Sequence, residues 1–499
     1  CRLKDANNMN TAELKALVDR PWRMLINGEL VDSSDARSME TINPANGEVI
    51  TRFPAATESD VDAAAQAANA AQPDWADTSL MERRDLVLQL ADVLREHSAE
   101  FGALDSLENG NVYSHMRNDA AGGAYMLDYF CAIVQELKGE STQLDNDLHY
   151  TRREPYGVVA RLLPFNHPIQ TLGAGLAAPL LTGNTLILKP SPHSSLSALA
   201  FAERVKDLLP AGVLNIISGS NDCVAAGLLN HPDIPRLAVT GSTEVGKLAM
   251  RASAEHLKTT TLELGGKTPM IVFDDADVDL CVDTAMRGMN FKWQGHSCTS
   301  TSRVLIHERL HDEFVEKLAT AFTTIEPSDP FDDDAQMGPI SHRQQFDKVR
   351  EYIQSGLDEG ACLVCGGARV DQPELANGFF LPPTIFAEVY PSMRIAREEI
   401  YGPVISIIKW RSEDEAIAIA NSVDYGLAAV IMSNNIDRVH RSARRLQAGF
   451  VEVNGPVSFA LGSPFGGTKA SGSGREGNLE ELISYTQLKS VNVRLGHSI

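Results

Sequence analysis

This sequence predicts an α/β protein of more than one domain, built on parallel sheets, and three observations lead there. The chain has 499 residues, too many for one compact core. From Val158 onward short apolar runs alternate with helical stretches, as they do when strands buried on both faces are joined by crossover helices. A second alternation of the same kind starts at Pro269 and runs to Val451–Asn454.

Taken in order, residues 1–20 are polar and read as an N-terminal arm. Trp22 to Val31, with Asn27-Gly28 between apolar runs, predicts a hairpin. Ser59-Asp60 then caps a helix through Ala63 to Ala71. In the next segment Val87, Leu90, Ala91 and Leu94 recur at i, i+3, i+4 and i+7 opposite charged residues, the stripe of a second helix. Ala120 to Leu137 is a third. Val158–Leu163, Thr185–Leu188, Val213–Ile217 and Leu237–Thr240 read as the buried strands of a doubly wound sheet. Ligands of such sheets sit beyond the carboxyl ends of the strands. Lys189, Gly219 and Gly241 fall there, which is where a dinucleotide would lie in a Rossmann-like domain.

The second α/β domain takes in Pro269–Phe273, Arg303–Ile306, a helix over Leu310–Phe322 and a turn at Gly366-Gly367. The tail Tyr485–Arg494 alternates as an exposed strand, and Leu148–Glu154 does likewise. Strands reaching from a body usually pair with another subunit, so a homodimer or homotetramer is expected. The expected map is an arm over 1–20, a cofactor-binding domain over 21–137 and 156–264, a catalytic domain over 265–465 and a small oligomerisation arm over 138–155 and 480–499.

Composition narrows the function. Apolar residues make up 43% and charged residues 22%, values of a soluble globular protein. A net charge of −22 argues against nucleic acid or an anionic membrane as partner. Seven cysteines in so long a chain make no disulfide framework. No basic segment followed by an apolar core marks a secretory signal. The least charged stretch, Leu162 to Leu188, is broken by Pro164, Asn166, His167, Pro168, Gln170 and Asn184, so it is no membrane span. Cytoplasm, with reduced thiols, is expected.

Chemistry concentrates in three stretches. Phe291-Lys-Trp-Gln-Gly-His-Ser-Cys298-Thr-Ser sets a thiol on a turn of small residues, where it can act as a nucleophile. Thr261-Leu-Glu263-Leu-Gly265-Gly266-Lys267 sets a carboxylate between leucines, a setting that raises its pKa towards that of a general base. Arg161-Leu-Leu-Pro164-Phe-Asn166-His-Pro168 stiffens the backbone on both sides of Asn166, whose amide suits an oxyanion donor.

In these places the sequence resembles the aldehyde dehydrogenase superfamily. The resemblance continues through Leu188-Lys189-Pro190-Ser191, Thr240-Gly241-Ser-Thr-Glu-Val-Gly246, Glu398-Glu399-Ile-Tyr401-Gly-Pro403 and Pro464-Phe-Gly-Gly-Thr-Lys-Ala-Ser-Gly, in the family's order, from about Trp22 onward. It implies that Cys298 attacks an aldehyde, that Asn166 and the Cys298 backbone N–H hold the oxyanion, and that Glu263 activates the water that releases the acid. It implies NAD or NADP as cofactor, against Lys189, Pro192, Gly219, Gly241, Ser242, Gly246, Leu264, Glu399 and Tyr401. It also implies a substrate pocket that includes Phe165, Gln170, Trp293 and Phe459. No metal is expected. The alternatives are a CoA-acylating relative, against which Glu263 argues, and a non-catalytic binding or structural relative, against which the intact trio argues.

Several positions depart from the family pattern. Phe165 replaces a usual Trp, His167 a usual Phe and His296 a common Gln. Gly175 stands where many members have Lys, Ala174 where many have a large residue, and Pro192 where NAD-preferring members often have Glu. The Gly173-Ala174-Gly175 run makes space, and no arginine lies around Gln170–Gly175, so a bulky aromatic or aliphatic aldehyde is expected rather than an anionic one. Other signatures are weaker. His307-Glu-Arg-Leu-His311 spells a zinc-protease motif, but it straddles a strand-to-helix corner. Gly241–Lys247 mimics a phosphate loop but has Leu248 where Ser or Thr is needed, and Gly472–Gly477 spells GxGxxG with no strand leading in. Cys362 and Cys365 read as strand residues, and Cys131, Cys223 and Cys281 as packing.

Overall fold

The computed structural model describes residues 11–144, 147–370 and 372–494. The expected N-terminal arm lies partly outside these residues. Its described part is not simply extended, since Thr11–Val18 is a helix.

The first sheet has eight strands in the order Glu29–Val31, Met24–Ile26, Leu214–Ile216, Thr185–Lys189, Val158–Leu162, Arg236–Thr240, Thr259–Glu263 and Gly472–Ser473. The five central strands are parallel, as their unbroken apolar runs foretell. Strand order reverses between Val158–Leu162 and Arg236–Thr240, and that reversal opens a crevice at the carboxyl ends. The edges are antiparallel. One is the expected hairpin, turning at Asn27 and Gly28 with φ of 54° and 78°. The other comes from the GxGxxG segment, where Gly472 lies so close to Leu262 that an added Cβ would meet its carbonyl oxygen at 1.9 Å. A glycine that admits a neighbouring backbone explains this motif better than phosphate binding does.

The second sheet runs Cys362–Cys365, Thr384–Ala387, Val404–Trp410, Arg303–His307, Pro269–Val272, Ala428–Met432 and Phe450–Val453, parallel except at its first strand. Its residues divide between two cores by parity: Ile271 and Leu305 enter one, Met270, Val272, Val304 and Ile306 the other. His307 ends a strand and His311 begins the Leu310-capped helix, so the zinc-like motif is split across that corner.

Helices cover the first sheet, with three corrections to the sequence reading. The helix expected from Ala63 runs Glu58–Asp77, and its cap is Thr57, with Asp60 closing the capping box. Ser98–Asn109 is a helix that the stripe rule misses, because it is buried on every side from Phe101 to Asn109 and shows no polar face. The third expected helix ends earlier, at Ile133, and passes into a short 3₁₀ turn.

The third sheet orders Thr486–Val493, Asp147–Pro155 and Ser141–Leu144, all antiparallel. The two strands expected to reach for a partner thus pair with each other along eight residue pairs, from Thr486↔Pro155 to Val493↔Leu148.

Candidate active site

A cleft of about 1370 Å³ opens at the carboxyl ends of the first sheet and is closed on its far side by loops of the second. Cys298, Glu263 and Asn166 all line it. Sequence-distant turns bring them together.

Cys298 follows a tight 3₁₀ turn, Phe291–Trp293, that Gln294 and Gly295 leave with φ of 50° and 73°. The loop is pressed onto the Gly265-Gly266 bend. A Cβ on Gly266 would stand 2.2 Å from the Cys298 carbonyl oxygen, so only glycine fits there. The Asn166 amide donates to the His296 carbonyl at 3.1 Å, which sets it beside the nucleophile turn. Burial, then the carboxylates of Glu399 and Glu263, push the Cys298 thiol up to about 12. The resting thiol therefore keeps its proton.

Glu263 ends its strand buried, and neither carboxylate oxygen has a hydrogen-bond partner among the described residues. Burial lifts its pKa well above the carboxylate range, Glu476 adds to the rise, and Arg475 and Arg161 oppose it. Arg161 pairs with Glu476 at 3.0 Å and donates to the Tyr485 hydroxyl at 3.0 Å.

Asn166 is gripped from behind by the buried helix Ser98–Asn109 and the loop after it. The Asn111 amide donates to the Asn166 carbonyl at 2.7 Å, and the Asn109 amide donates to Phe165 O at 3.2 Å. Asp105 accepts the Ile169 N–H at 3.1 Å, capping a helix whose own N-cap, His167, makes no capping bond. The same loop holds the nucleophile turn, because Gly110 O accepts from the Gln294 amide at 2.6 Å and Val112 N donates to Lys292 O at 3.1 Å. No sequence signal marked these asparagines.

Of the expected cofactor contacts, Lys189, Pro192, Gly241, Ser242, Leu264, Glu399 and Tyr401 line the cleft. Ser242 caps the helix Thr243–His256 at the sheet's edge. Glu399 accepts the Gly266 N–H at 2.8 Å. Tyr401 takes φ of 56° and stacks on His296 with ring centres 5.5 Å apart. Gly219 and Gly246 are not among the residues lining the cleft. A Cβ on Gly246 would strike Leu264 at 2.3 Å, and one on Gly219 would strike Val224 at 2.6 Å, so both positions are closely packed.

Phe165, Gln170 and Phe459 line the cleft as expected. Trp293 does not; it packs behind the wall, 4.8 Å from the His167 ring and 5.4 Å from that of His115. Unforeseen are the stacked rings of His193 and His342, 3.8 Å apart, with Phe165 edge-on to both. Burial lowers the basicity of both, that of His342 to about 2.

The donor set fits a dinucleotide. Lys189 is buried, and among the described residues its ammonium bonds Pro190 O at 3.0 Å and Asn221 Oδ1 at 3.1 Å and no carboxylate. Burial without such a counter-charge brings its pKa down to about 7. A hydroxyl or phosphate ligand would answer it. Elsewhere along the same cleft, no described atom lies within 4 Å of where a Gly241 Cβ would project, leaving a helix N-terminus open for an anion.

A thiol, a buried carboxyl and a side-chain amide thus meet in a cleft at the carboxyl ends of a doubly wound sheet, the place where such folds bind dinucleotides. Residues 30–491 match the aldehyde dehydrogenase family, and the chain belongs to it. It is 42% identical over 465 residues to the aldehyde dehydrogenase tropH of Talaromyces stipitatus, covering 92% of this chain and 90% of that one. It is 41% identical over 473 residues to a betaine aldehyde dehydrogenase of Brucella anthropi, covering 94% and 97%. Among solved structures, the betaine aldehyde dehydrogenase of Staphylococcus aureus in complex with NAD+ superposes with a TM-score of 0.95 at 31% identity, over 98% of each chain. A putative aldehyde dehydrogenase from Burkholderia cenocepacia gives 0.92 at 36%, over 95% of this chain and 97% of that one. The chain is thus an oxidoreductase that acts on aldehydes with a nicotinamide cofactor.

Proposed function

We propose that the protein oxidises a bulky, uncharged aldehyde to its carboxylic acid by way of a thioester on Cys298. The observation that carries this reading is Glu263, a buried carboxyl with no hydrogen-bond partner among the described residues, in the same cleft as Cys298 and Asn166. A group held like that is costly unless it is used.

In its ionised form Glu263 takes the Cys298 proton, directly or through water, and the sulfur bonds to the aldehyde carbon. The Asn166 amide and the Cys298 backbone N–H hold the oxygen of the resulting thiohemiacetal. A nicotinamide dinucleotide, when bound against Lys189, Ser242 and Glu399, supplies the hydride acceptor. Once the Cys298 proton has passed from Glu263 to solvent, the carboxylate takes a proton from water, whose oxygen attacks the thioester; the acid is freed and the Cys298 sulfur is the leaving group. A CoA-acylating relative would need the thioester to outlast water, and Glu263 works against that. The apolar side of the cleft, Met126, Ala174, Val457, Phe459 and Phe465, supports a bulky tail. A reduced compartment such as the cytoplasm suits the free thiol, and the three-stranded arm supports a dimer or tetramer through its open edges.

The test is a rapid-mixing experiment at 340 nm with Cys298→Ala and Glu263→Gln. The first is expected to form no NADH. The second is expected to give a burst near one NADH per competent site, then slow turnover. An unchanged steady-state rate in Glu263→Gln would overturn the role given to this base.

A further inference from the structure

Asp119 opens the helix Asp119–Ile133 and His167 caps the helix Pro168–Leu181. The two helices cross closely, with Gly123 against Gly173: a Cβ on Gly173 would stand 2.8 Å from the Gly123 Cα. That crossing brings His167 Nδ1 to 2.8 Å from Asp119 Oδ2, and Asp119 is buried. Trp293 packs on the other side of the imidazole. The ring is fixed in place.

A carboxylate only accepts, so the ring proton shared with it sits on Nδ1, and in the neutral ring Nε2 is an acceptor. Nε2 has no hydrogen bond to any described protein group, nor does the Gln170 side-chain amide. His167, Gln170, Thr171 and Ala174 all line the cleft. At i, i+3, i+4 and i+7 they form one face of the helix, beginning directly after Asn166. The Thr171 hydroxyl is turned away from this role, because it donates to the His167 carbonyl at 2.7 Å. His167 and Gln170 thus bring two polar side chains to a cleft that Met126, Ala174, Val457, Phe459 and Phe465 also line.

We propose that His167, oriented by Asp119, acts with Gln170 as a reader of a substrate hydroxyl, and that the substrate is a hydroxy-bearing aromatic aldehyde. This rests on the aldehyde oxidation proposed above. A hydroxyl is the group that can give a proton to Nε2 and take one from the amide. A quaternary ammonium can do neither. A carboxylate brings no proton to Nε2 and approaches the charge of Asp119. The edge-on pair Phe459 and Phe465, 5.7 Å apart, offers an aromatic ring its preferred packing.

The test compares kcat/KM for benzaldehyde, the three hydroxybenzaldehyde isomers, 3-carboxybenzaldehyde and betaine aldehyde in the wild-type protein and in His167→Phe, His167→Gln and Asp119→Asn. One hydroxy isomer is expected to exceed benzaldehyde by about tenfold or more in the wild type. That ratio is expected to fall to about one in His167→Phe, to fall partly in Asp119→Asn and to recover partly in His167→Gln. A ratio is immune to a general loss of folded enzyme, which lowers both rates together. Benzaldehyde turnover without preference for any isomer, a ratio unmoved by His167→Phe, or a preference for the carboxylate or the ammonium substrate would overturn the inference alone. No NADH from any aldehyde would instead remove the oxidation reading on which it stands.

Discussion

A Cβ placed on Gly175 would lie 2.6 Å from Cδ of Arg161. The glycine is on the helix Pro168–Leu181, the arginine on the strand Val158–Leu162 beneath it, and the guanidinium passes through the space a side chain on the helix would need. That cation reaches Glu476 and Tyr485, the residue that leads into the tail strand.

Replacing Arg161 leaves Glu476 beside Glu263 without its cation. Arg161→Met is expected to lose on the order of 3 kcal/mol of stability, the usual cost of half a buried pair, and a denaturant titration measures it. Gly175→Ala is expected to be destabilised too, because the Arg161 side chain cannot move aside without breaking the pair.

The charges around Glu263 also set its pH dependence. Its pKa is raised in the folded state, so the folded protein keeps this proton where the unfolded chain has lost it. Stability from this group is present below the ordinary carboxylate pKa and is lost as pH rises from there through the raised value. Glu263→Gln is therefore expected to gain stability over the wild type as pH rises, seen as a Tm difference that widens from pH 5 to pH 8. The rate of deacylation runs the other way and rises with pH as Glu263 ionises. Arg161→Met should shift that limb to higher pH and Glu476→Gln to lower pH, in single-turnover measurements of acid release. Coincident profiles would show that the three groups do not interact.

Much of this was legible in the sequence. The parallel strands announce themselves because both faces are buried, so apolar residues run without interruption, as in Thr185–Lys189. Cys298, Glu263 and Asn166 stand in local patterns of Gly and Pro that force their turns. The supports behind them were not legible. Asn111 and Asp105 sit on a helix and loop buried all round, where polar residues carry no periodic mark. Arg161 hides inside an apolar strand, and its meaning depends on a glycine distant in sequence. At Gly219 and Gly246 the sequence does not separate two uses, since glycine serves close packing and close ligand approach alike.

Asn111 joins the oxyanion turn to the loop that holds the nucleophile. Asn111→Ala removes the 2.7 Å bond to the Asn166 carbonyl without touching either reacting group. The expected result is a fall in kcat of about tenfold with little change in KM, since the amide is misaimed mainly against the transition state. A fall in Tm alone, with kcat per folded molecule preserved, would assign Asn111 to stability only.

The tail strand offers a test of assembly. Leu482 and Tyr485 belong to the core of the first sheet, so the cut that isolates the strand falls after Tyr485. Truncation there exposes the Asp147–Pro155 strand and is expected to give monomers or insoluble protein by light scattering. An intact oligomer from the truncated chain would place the interface elsewhere.

The cofactor choice turns on Pro192, which lines the cleft near the buried Lys189. Proline brings neither charge nor side-chain acceptor to a position where a carboxylate would repel a 2′-phosphate. Lys189 has no carboxylate partner among the described residues and remains available for that phosphate. Removing one like-charge contact at a partly solvated site is worth on the order of 1 kcal/mol, close to tenfold in affinity. The native protein is therefore expected to bind both NAD and NADP, with dissociation constants within about tenfold of one another. Pro192→Glu is expected to weaken NADP several-fold while NAD changes little, measured by quenching of protein fluorescence on titration and, separately, by turnover. Loss of both cofactors together would point to a disturbed loop. Failure of the native protein to bind NADP at millimolar concentration would mean that the missing carboxylate does not set the choice.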